Sequence, residues 1–551
     1  MTESTEPAAP VGRAAPAKAA ESAVPTAPAR SDTFADAVGP AAPAKAADPA
    51  EPADVVGRDA AAPGAERTYA ADELFFSTTD ARGRIRRANA IFMRLSGYPR
   101  GALVGRAHSA VRHEAMPAGL FRSIWEDLEQ GRAASAYITN RSADGGFYRV
   151  FATIVPSGDG YLSVRTLPML TRRRDEIEAV YGRVRAVERA SAAAGSTRRE
   201  AAAAGHSALL AELDALGFRD AVAFTRQTLP AEVAALVAAG VDIPERPDAE
   251  GPVAVILDQM NRIESLTSGQ VALLDECARI VALLGRRAAE IDDLSARLGR
   301  LRTSLRDAVG DAARAGADDG TARSGGAERA GGAEGVRERY ERVDALVLEC
   351  VEELRPLAGQ VGELRSDTDS LRFAIALLRL LNLAAGFFAL QILEGEDELE
   401  ANDAVGSLKE LAAALDEGAR SLSERVELFE ARSELVGVGL DDVAAALAAT
   451  RAPLLDLLAA VEAGATGEAD AAGEADAAGT ADAGGASTAG TADAGGAAPV
   501  RAARDLVGDG FPEARDLADT AGAVRDLGVP DVSTDLAAHL QRVRAALAEL
   551  A

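Results

Sequence analysis

Aromatic side chains and cysteines are scarce in this chain. Aromatics make up 4 % of the 551 residues, most of them between Tyr69 and Tyr161, and the two cysteines are Cys277 and Cys350. The scarcity of aromatics excludes a large sheet-based core along the whole length and favours helices with small side chains inside. Two distant cysteines form neither a disulfide framework nor a zinc motif, and they fit a reducing cytoplasm.

The sequence also has no stripe of clustered basic residues and no recognisable secretion signal. The formal net charge is −27, and Lys and Arg never gather with interleaved aromatics, so nucleic-acid binding is not expected. The N-terminal segment alternates Ala, Pro and charged residues, which is not the pattern of a signal peptide. One apolar stretch, Phe373 to Leu390, approaches membrane-span length but carries Arg379 and Asn382. Because a central Arg costs about 2.5–3.5 kcal/mol on insertion scales, we interpret this stretch as a buried bundle helix and predict a cytoplasmic protein.

Catalytic and metal-binding signatures are absent from the sequence as well. There is no phosphate-cradling Gly loop, no phospho-accepting His box and no nucleophile elbow. The Gly-rich segments 315–335 and 464–498 neither follow a strand nor open a helix with Lys-Ser/Thr, so we interpret them as linkers. The sequence therefore predicts a protein that is not an enzyme.

The hydrophobic pattern divides the chain into successive segments. Short β-rich pieces surround the predicted helices 90–96 and 118–129, and beyond residue 170 the apolar period becomes helical, with a coiled-coil or bundle seam that includes Val255, Met260, Ile263, Leu274 and Leu284. We predict a disordered Ala/Pro-rich tail over 1–68, a sheet domain over 69–170, a helical linker over 171–245, a long helical region over 250–463, a low-complexity linker over 464–498 and a helical end over 499–551.

An ordered set of residues in the sheet domain resembles the PAS domain of the aerotaxis receptor family, over about residues 72–170. The resemblance implies an α+β PAS domain, with a five-stranded antiparallel sheet and flanking helices. The residues that carry it are Phe76-Ser-Thr-Thr-Asp80, Arg87-Ala-Asn89, Phe92, Ser96-Gly-Tyr98, Leu103-Val-Gly105, His108, Val111-Arg-His113, Met116-Pro117, Trp125, Gly131, Asn140-Arg141 and Gly160-Tyr-Leu-Ser-Val-Arg-Thr166.

That family binds FAD in the PAS cleft and reads redox state, so the resemblance implies a flavin sensor. On this basis the predicted cofactor-binding residues are Asn89, Arg112, His113 and Trp125. The Arg112 guanidinium suits a diphosphate, Trp125 offers a stacking face, Asn89 offers a donor and an acceptor, and His113 adds a titratable group. Each has a structural alternative: core packing for Trp125, a helix cap for Asn89, and surface positions for Arg112 and His113. Where the family has an acidic residue, this chain has Ala115.

Two functional hypotheses follow. The first is a cytoplasmic, dimeric PAS signal-transduction protein that senses redox or energy state through FAD and passes it through helices to a protein partner. The second is a PAS domain without a ligand that serves as a dimerisation or scaffolding module on a structural helical protein. Haem or another ligand is a further alternative for the cleft.

Overall fold

A computed structural model describes residues 64–318, 326–395, 401–476, 512–526 and 532–550. Five strands and a series of helices lie within these ranges. The strands are β1 (Phe75–Asp80), β2 (Ile85–Ala88), β3 (Ala134–Arg141), β4 (Phe147–Ser157) and β5 (Gly160–Thr166). The helices are α1 (Ala90–Ser96), α2 (Arg100–Leu103), a 3-10 helix (His108–Val111), α3 (Ala118–Glu129), α4 (Thr171–Ala193), α5 (Arg198–Ala215), α6 (Ala221–Ala238), α7 (Pro252–Asp318), α8 (Gly326–Glu394), α9 (Ala401–Asp476), α10 (Pro512–Arg525) and α11 (Ser533–Glu549).

The five strands form one antiparallel sheet in the order β2-β1-β5-β4-β3. This is the five-stranded sheet with flanking helices that the sequence predicts, and it confirms the PAS fold class. The bounds of α1 and α3 agree with the predicted helices 90–96 and 118–129. Gly160, at the start of β5, has no room for a side chain. A Cβ added there would lie 1.9 Å from the Thr79 carbonyl oxygen on the neighbouring strand.

The inner face of the sheet packs against α1, α3 and the 3-10 helix. The ring of Phe75 on β1 lies 5.9 Å from that of Phe92 on α1 and 6.2 Å from that of Tyr148 on β4. Asn89 caps α1 at its start, and Gly97 ends it in the left-handed region at φ 67°. The cleft in which the sequence predicts a ligand is the space between this sheet face and these helices.

The outer face of the sheet is covered by the chain's own later helices. Phe76 on β1 is buried and meets Phe388 of α8 edge-on, with ring centroids 4.9 Å apart. Arg87 on β2 forms an ion pair with Glu410 of α9. The sheet is therefore buried on both sides, which explains why the first five successive residues of β1 are buried.

The long helices α7, α8 and α9 form the bundle that the helical period predicts, with α8 packed against both α7 and α9. Four predicted seam residues of α7, namely Met260, Ile263, Leu274 and Leu284, are buried. The prediction was wrong for Val255, which is 44 % exposed. Its neighbours Ile256 and Leu257 are buried at the start of the helix instead.

The charged residues in the apolar stretch of α8 lie inside this bundle. Arg379 donates from Nε to a Glu264 carboxylate oxygen on α7 at 3.0 Å and also bonds Ser268, and Asn382 donates to the Met260 carbonyl at 2.9 Å. An Arg buried with its counter-ion is the expected arrangement in a helical core.

By length and composition alone, two helices in the described part of the chain could cross a membrane. Glu334–Glu394 contains a window of mean hydropathy 2.0, of which 89 % is buried against the rest of the protein; Asp403–Val461 contains one of 1.5, of which 39 % is buried. A core helix of a soluble protein passes the same test, so these windows are weak evidence for a membrane.

Several segment boundaries differ from the predicted ones. Gly64 and Arg67, within the predicted tail 1–68, donate backbone hydrogen bonds to Gly145 and Phe147, so contacts with the sheet domain begin earlier than residue 69. Helices α7 and α8 extend into the predicted loop 315–335, and α9 continues to residue 476, past the boundary predicted at 463. Ala and Glu are strong helix formers and outweigh the occasional Gly, which costs about 1 kcal/mol. The predictions for 1–63 and 477–498 lie outside the described residues.

Candidate functional site

Arg112 and His113 lie where the 3-10 helix meets the edge strand β3. The backbone of Arg112 bridges to Asn140, and the His113 N–H donates to the Thr139 carbonyl at 3.3 Å. The Arg112 guanidinium carbon stands 3.5 Å from the centroid of the Phe121 ring of α3. Burial lowers the pKa of Arg112 to about 10, which still leaves the side chain cationic at neutral pH. Its Nε has no hydrogen-bond partner among the described residues.

Trp125 lies on the same face of α3 as Phe121, one turn further along the helix. Its ring meets that of Tyr161 on β5 edge-on, with centroids 5.3 Å apart. It also covers Gly83 in the β1–β2 turn, where an added Cβ would lie 3.0 Å from the indole. Arg112, which packs on Phe121, and Trp125 therefore both lie along the α3 wall of the cleft. His113 is the next residue after Arg112 in sequence.

Asn89 occupies a separate position at the start of α1. Its side-chain oxygen accepts from the N–H groups of Phe92 and Phe76, at 3.4 and 3.3 Å, and its amide nitrogen donates to the Leu74 carbonyl at 3.3 Å. The helix-cap alternative raised from the sequence is therefore present in the structure. A direct role for Asn89 at a cofactor stays a prediction.

A half-buried histidine and a buried arginine face each other deeper in the cleft. His108 Nε2 contacts the guanidinium of Arg165, which also donates to Ser77 Oγ at 3.1 Å. Burial, reinforced by the charges of Arg165 and Arg112, holds the pKa of His108 well below its usual value, so the imidazole is neutral. Burial also lowers the pKa of Arg165 to about 10. Both residues belong to the set that carries the family resemblance, but neither is among the predicted cofactor-binding residues.

Three buried polar groups on the inner sheet face lack hydrogen-bond partners among the described residues. They are Asn140 Nδ2, Tyr148 OH and Ser163 Oγ. Asn140 pairs with Tyr148 across β3 and β4, and Ser163 pairs with Ser77 across β5 and β1, so all three share the face of Arg165. The polar residues at these strand positions were a readable signal, because polar side chains on a covered sheet face need hydrogen-bond partners.

These groups fit a ligand that is anionic and accepts hydrogen bonds. Arg112 and Arg165 form no ion pair with any carboxylate in the described ranges, although buried cations are normally paired. An FAD would supply both a diphosphate for the cations and a ring edge for the polar atoms. The cleft is filled with stacked side chains, as Phe92 lies parallel to both Phe75 and His108, so a tricyclic ring enters only if side chains such as Arg112 and Trp125 move.

A well-formed small cavity lies on the far side of α3 from these residues. Its volume is about 20 Å³, which suits a water molecule rather than a cofactor. It is lined by Leu120, Ile124 and Asp127 of α3 and by Tyr181, Leu213 and Phe224 of the following helices. It does not overlap with the predicted site residues.

Two buried carboxylates tie the sheet domain to the helices that follow it. Glu188 of α4 accepts from the Gly119 N–H at the start of α3, at 2.8 Å. Glu232 of α6 accepts from the Tyr137 hydroxyl at 2.7 Å and from the N–H groups of Met169 and Leu170, at 2.7 and 3.1 Å, in the segment between β5 and α4. Burial raises the pKa of Glu232. Both carboxylates therefore act as fixed attachment points between the cleft and the helical region.

Comparison with known proteins gives one partial similarity to report. Over 100 residues, 17 % of this chain, the sequence is 38 % identical to the aerotaxis receptor of Escherichia coli (strain K12). The match covers 20 % of that relative, so the chain corresponds to about a fifth of its length. No family model matches the chain. The similarity and the sheet order confirm the resemblance of the sheet domain to the PAS domain of an aerotaxis receptor.

Proposed function

We propose that this protein is a PAS signal-transduction sensor that reads redox or energy state through FAD bound non-covalently in the cleft. Two lines of support meet in the same region of the chain. The chain is similar to the aerotaxis receptor over 100 residues, and the residues from which the sequence predicts that resemblance lie in the sheet domain. The cleft of that domain concentrates unpaired cations and polar atoms. A sensor of this kind is not an enzyme, and we propose a cytoplasmic location.

The observation that carries the proposal is the pair of guanidiniums formed by half-buried Arg112 and buried Arg165, which lie near the neutral imidazole of His108. Neither guanidinium forms an ion pair in the described ranges. Glu188 acts on Arg112 only as a nearby charge that raises its pKa, and no carboxylate acts on Arg165. Leaving cations buried without counter-ions costs stability, and a bound anion would recover it. A dinucleotide diphosphate has the charge and the planar recognition geometry that arginine prefers.

Each predicted residue of the cleft would have its own role in binding the cofactor. Arg112 would turn from the Phe121 ring to hold the diphosphate, and Trp125 would stack on an aromatic ring of the cofactor. His113 would contribute hydrogen bonds near its edge, and Asn89 would fix the start of α1 beside it. When bound, a flavin exchanges electrons and protons, which changes the hydrogen bonds that it can form with the surrounding protein groups.

The signal would leave the cleft through contacts already formed with the helices. The wall helix α3 is attached to α4 through Glu188, and the strand β5 leads into α4 through the segment held by Glu232. On the outer face, Phe76 and Arg87 rest on α8 and α9. A ligand that favours one packing of these elements by about 1–3 kcal/mol would bias the helical region, which would pass the state to a protein partner.

Visible absorbance of the purified full-length protein tests the cofactor. We expect a yellow spectrum, present on purification or after reconstitution with FAD, that bleaches on chemical reduction. Arg112→Ala and Trp125→Ala should each lose the flavin, whereas Arg122→Ala, a matched change on a solvent-facing position of α3, should retain it. Circular dichroism confirms that the variants fold. A colourless reconstituted protein, or full flavin content in both cleft variants, would refute the proposal.

A second function is favoured by the packing of the sheet domain itself. The outer sheet face is buried against the helices, and Arg112 already has an aromatic partner in Phe121. A PAS domain that carries no ligand and holds the helical bundle in place would need only these contacts. If the protein stays colourless while Phe76→Ala loosens the bundle, this scaffolding function replaces the first.

A further inference from the structure

The sheet domain meets the start of α9 through ion pairs that divide by charge. Arg87 of β2 pairs with Glu410, and Arg100 of α2 pairs with Asp403. In both pairs the cation belongs to the sheet domain and the anion belongs to the bundle. All four side chains are 26–35 % exposed, so water and salt reach both pairs. Partly exposed pairs of this kind are individually weak and are screened by salt.

Arg87 lies in a notch that a glycine leaves on α9. A Cβ added at Gly406 would lie 2.8 Å from the Arg87 Nε. Asp403, Gly406 and Glu410 are spaced by three and four residues, so they share the face of the helix that the sheet domain contacts. A methyl group at Gly406 would displace the flexible end of the arginine and would favour the helix itself.

The centre of the same contact joins an aromatic pair to polar atoms without partners. Phe76 and Phe388 meet edge-on. Near them, Thr78 Oγ1, Arg87 Nε and Gln391 Oε1 have no hydrogen-bond partner among the described residues. Thr78 lies opposite Arg87 across β1 and β2, and Gln391 lies one turn beyond the Phe388 ring on α8. Separation would give these polar atoms water as a partner, which offsets part of the cost of exposing the two rings.

We propose that this contact is a releasable latch, from which the sheet domain lifts while the sheet and the bundle each stay folded. The latch consists of Phe76, Arg87 and Arg100 on the sheet side and of Phe388, Asp403 and Glu410 on the bundle side. While it is closed, Phe388 is 1 % exposed and this end of the bundle is inaccessible to a partner. The latch therefore regulates access to the bundle.

Helix α6 lies on the side where the two parts stay attached. It packs both on β3 and on α8, and its buried Glu232 accepts from the Tyr137 hydroxyl of β3 at 2.7 Å. Opening of the latch is therefore a rotation of the sheet domain about α6, with the β3 contact kept.

This inference goes beyond the proposed function, because the latch needs no cofactor. A colourless protein whose latch opens would overturn the flavin proposal and leave the latch in place. A yellow protein whose latch stays closed under every condition would do the reverse.

The labelling rate of a cysteine placed beside the latch tests the proposal in the full-length protein. Ser407 lies four residues after Asp403 on α9 and is 1 % exposed, and Ser407→Cys replaces one oxygen by sulfur. Its reaction with a maleimide should become at least about fivefold faster between about 0.01 M and about 1 M NaCl, because salt screens the ion pairs. Both native cysteines are buried, and the wild type measures their contribution.

Ser433→Cys is the matched control for this probe. Ser433 is a 5 % exposed serine on the same helix, outside the latch. It should react slowly at both salt concentrations, since the bundle core does not depend on the two ion pairs. A global loosening of the protein would instead accelerate both probes.

Two sets of substitutions open the latch without salt. Gly406→Ala should accelerate labelling of Ser407→Cys at low salt, whereas Gly362→Ala on α8, where an added methyl meets open space, should not. Arg100→Glu should also accelerate labelling, because it sets a carboxylate against Asp403. Combining it with Asp403→Arg restores an opposite pair and should return the rate towards that of the unaltered latch.

The proposal is overturned if labelling of Ser407→Cys depends neither on salt nor on Arg100→Glu, because the contact then does not open. It is equally overturned if Ser433→Cys accelerates in parallel under the same conditions. That result would mean that the bundle loosens as a whole.

Discussion

Replacing Glu264 by Leu should destabilise the helical bundle far more than an exposed carboxylate substitution does. Glu264 and Arg379 have side chains only 9 % and 6 % exposed, and they pair between α7 and α8. Removing the carboxylate leaves the Arg379 guanidinium buried with Ser268 as its one remaining side-chain acceptor among the described residues. Breaking a buried pair in this way costs about 3–5 kcal/mol, because the lone charge keeps its desolvation penalty.

The matched control is an exposed pair on the same helix. Arg279 and Glu276 are 75 % and 50 % exposed, so Glu276→Leu should cost less than about 1 kcal/mol. The double variant Glu264→Leu with Arg379→Leu removes both buried charges, and its cost should be smaller than that of Glu264→Leu alone.

Urea unfolding followed by far-ultraviolet circular dichroism measures these differences. The reasoning is refuted if Glu264→Leu costs no more than Glu276→Leu, or if the double variant is less stable than the single one. Either result would mean that Arg379 is not buried beside Glu264, and that the apolar stretch of α8 is not the bundle core.

Three further predictions concern four substitutions in and around the sheet domain. Phe76→Ala and Phe388→Ala should each cost about 3–5 kcal/mol in urea unfolding and couple by about 0.5–1.5 kcal/mol in a double-mutant cycle, because their rings pack together. His108 has a lower pKa folded than unfolded, so the unfolded state binds more protons and stability should fall by up to about 1.4 kcal/mol per pH unit below about pH 6.5; His108→Gln should flatten that dependence. Gly205→Ala places a methyl 2.3 Å from a Glu188 oxygen and should cost about 1–3 kcal/mol in thermal or urea unfolding.

Each of these changes has its own control. Gly182→Ala on α4 meets open space, so it should be neutral or stabilising where Gly205→Ala is not. His206→Gln is the same substitution at a histidine outside the cleft and controls for the change of side chain itself. Additive effects of the two Phe substitutions would show that sheet and bundle are not packed against each other.

Local signals in the sequence predicted the elements of the sheet domain well. The alternation along Ile85–Ala88 and the helical period of Ala118–Glu129 give the observed bounds, since neither depends on distant partners. Boundaries in the Ala-rich regions were predicted less well. There α9 runs to residue 476, because Ala favours helix wherever no strong breaker intervenes.

The covering of the outer sheet face could not be predicted from local pattern. Phe76 contacts Phe388, and Arg87 contacts Glu410. In each pair the two residues are more than three hundred positions apart in the sequence. Adjacent Phe75 and Phe76 were the available signal, since a strand with two consecutive buried residues must be covered on both sides.

The cofactor-binding residues stay predictions, because residue type alone does not assign a role to them. Asn is equally suited to cap a helix and to bind a ligand, so the residue type of Asn89 alone does not decide between the two. The burial of His108 beside Arg165 needs the fold, because the two residues come from a 3-10 helix and from β5.

Titration of the full-length protein with FAD and with riboflavin tests the central claim most directly, because riboflavin has the ring system but no diphosphate. If the buried cations of the cleft recognise the diphosphate, flavin fluorescence should report FAD binding at least tenfold tighter than riboflavin, with the preference lost in Arg112→Met. Binding of neither compound, or equal binding of both that is unchanged in Arg112→Met, would contradict the account.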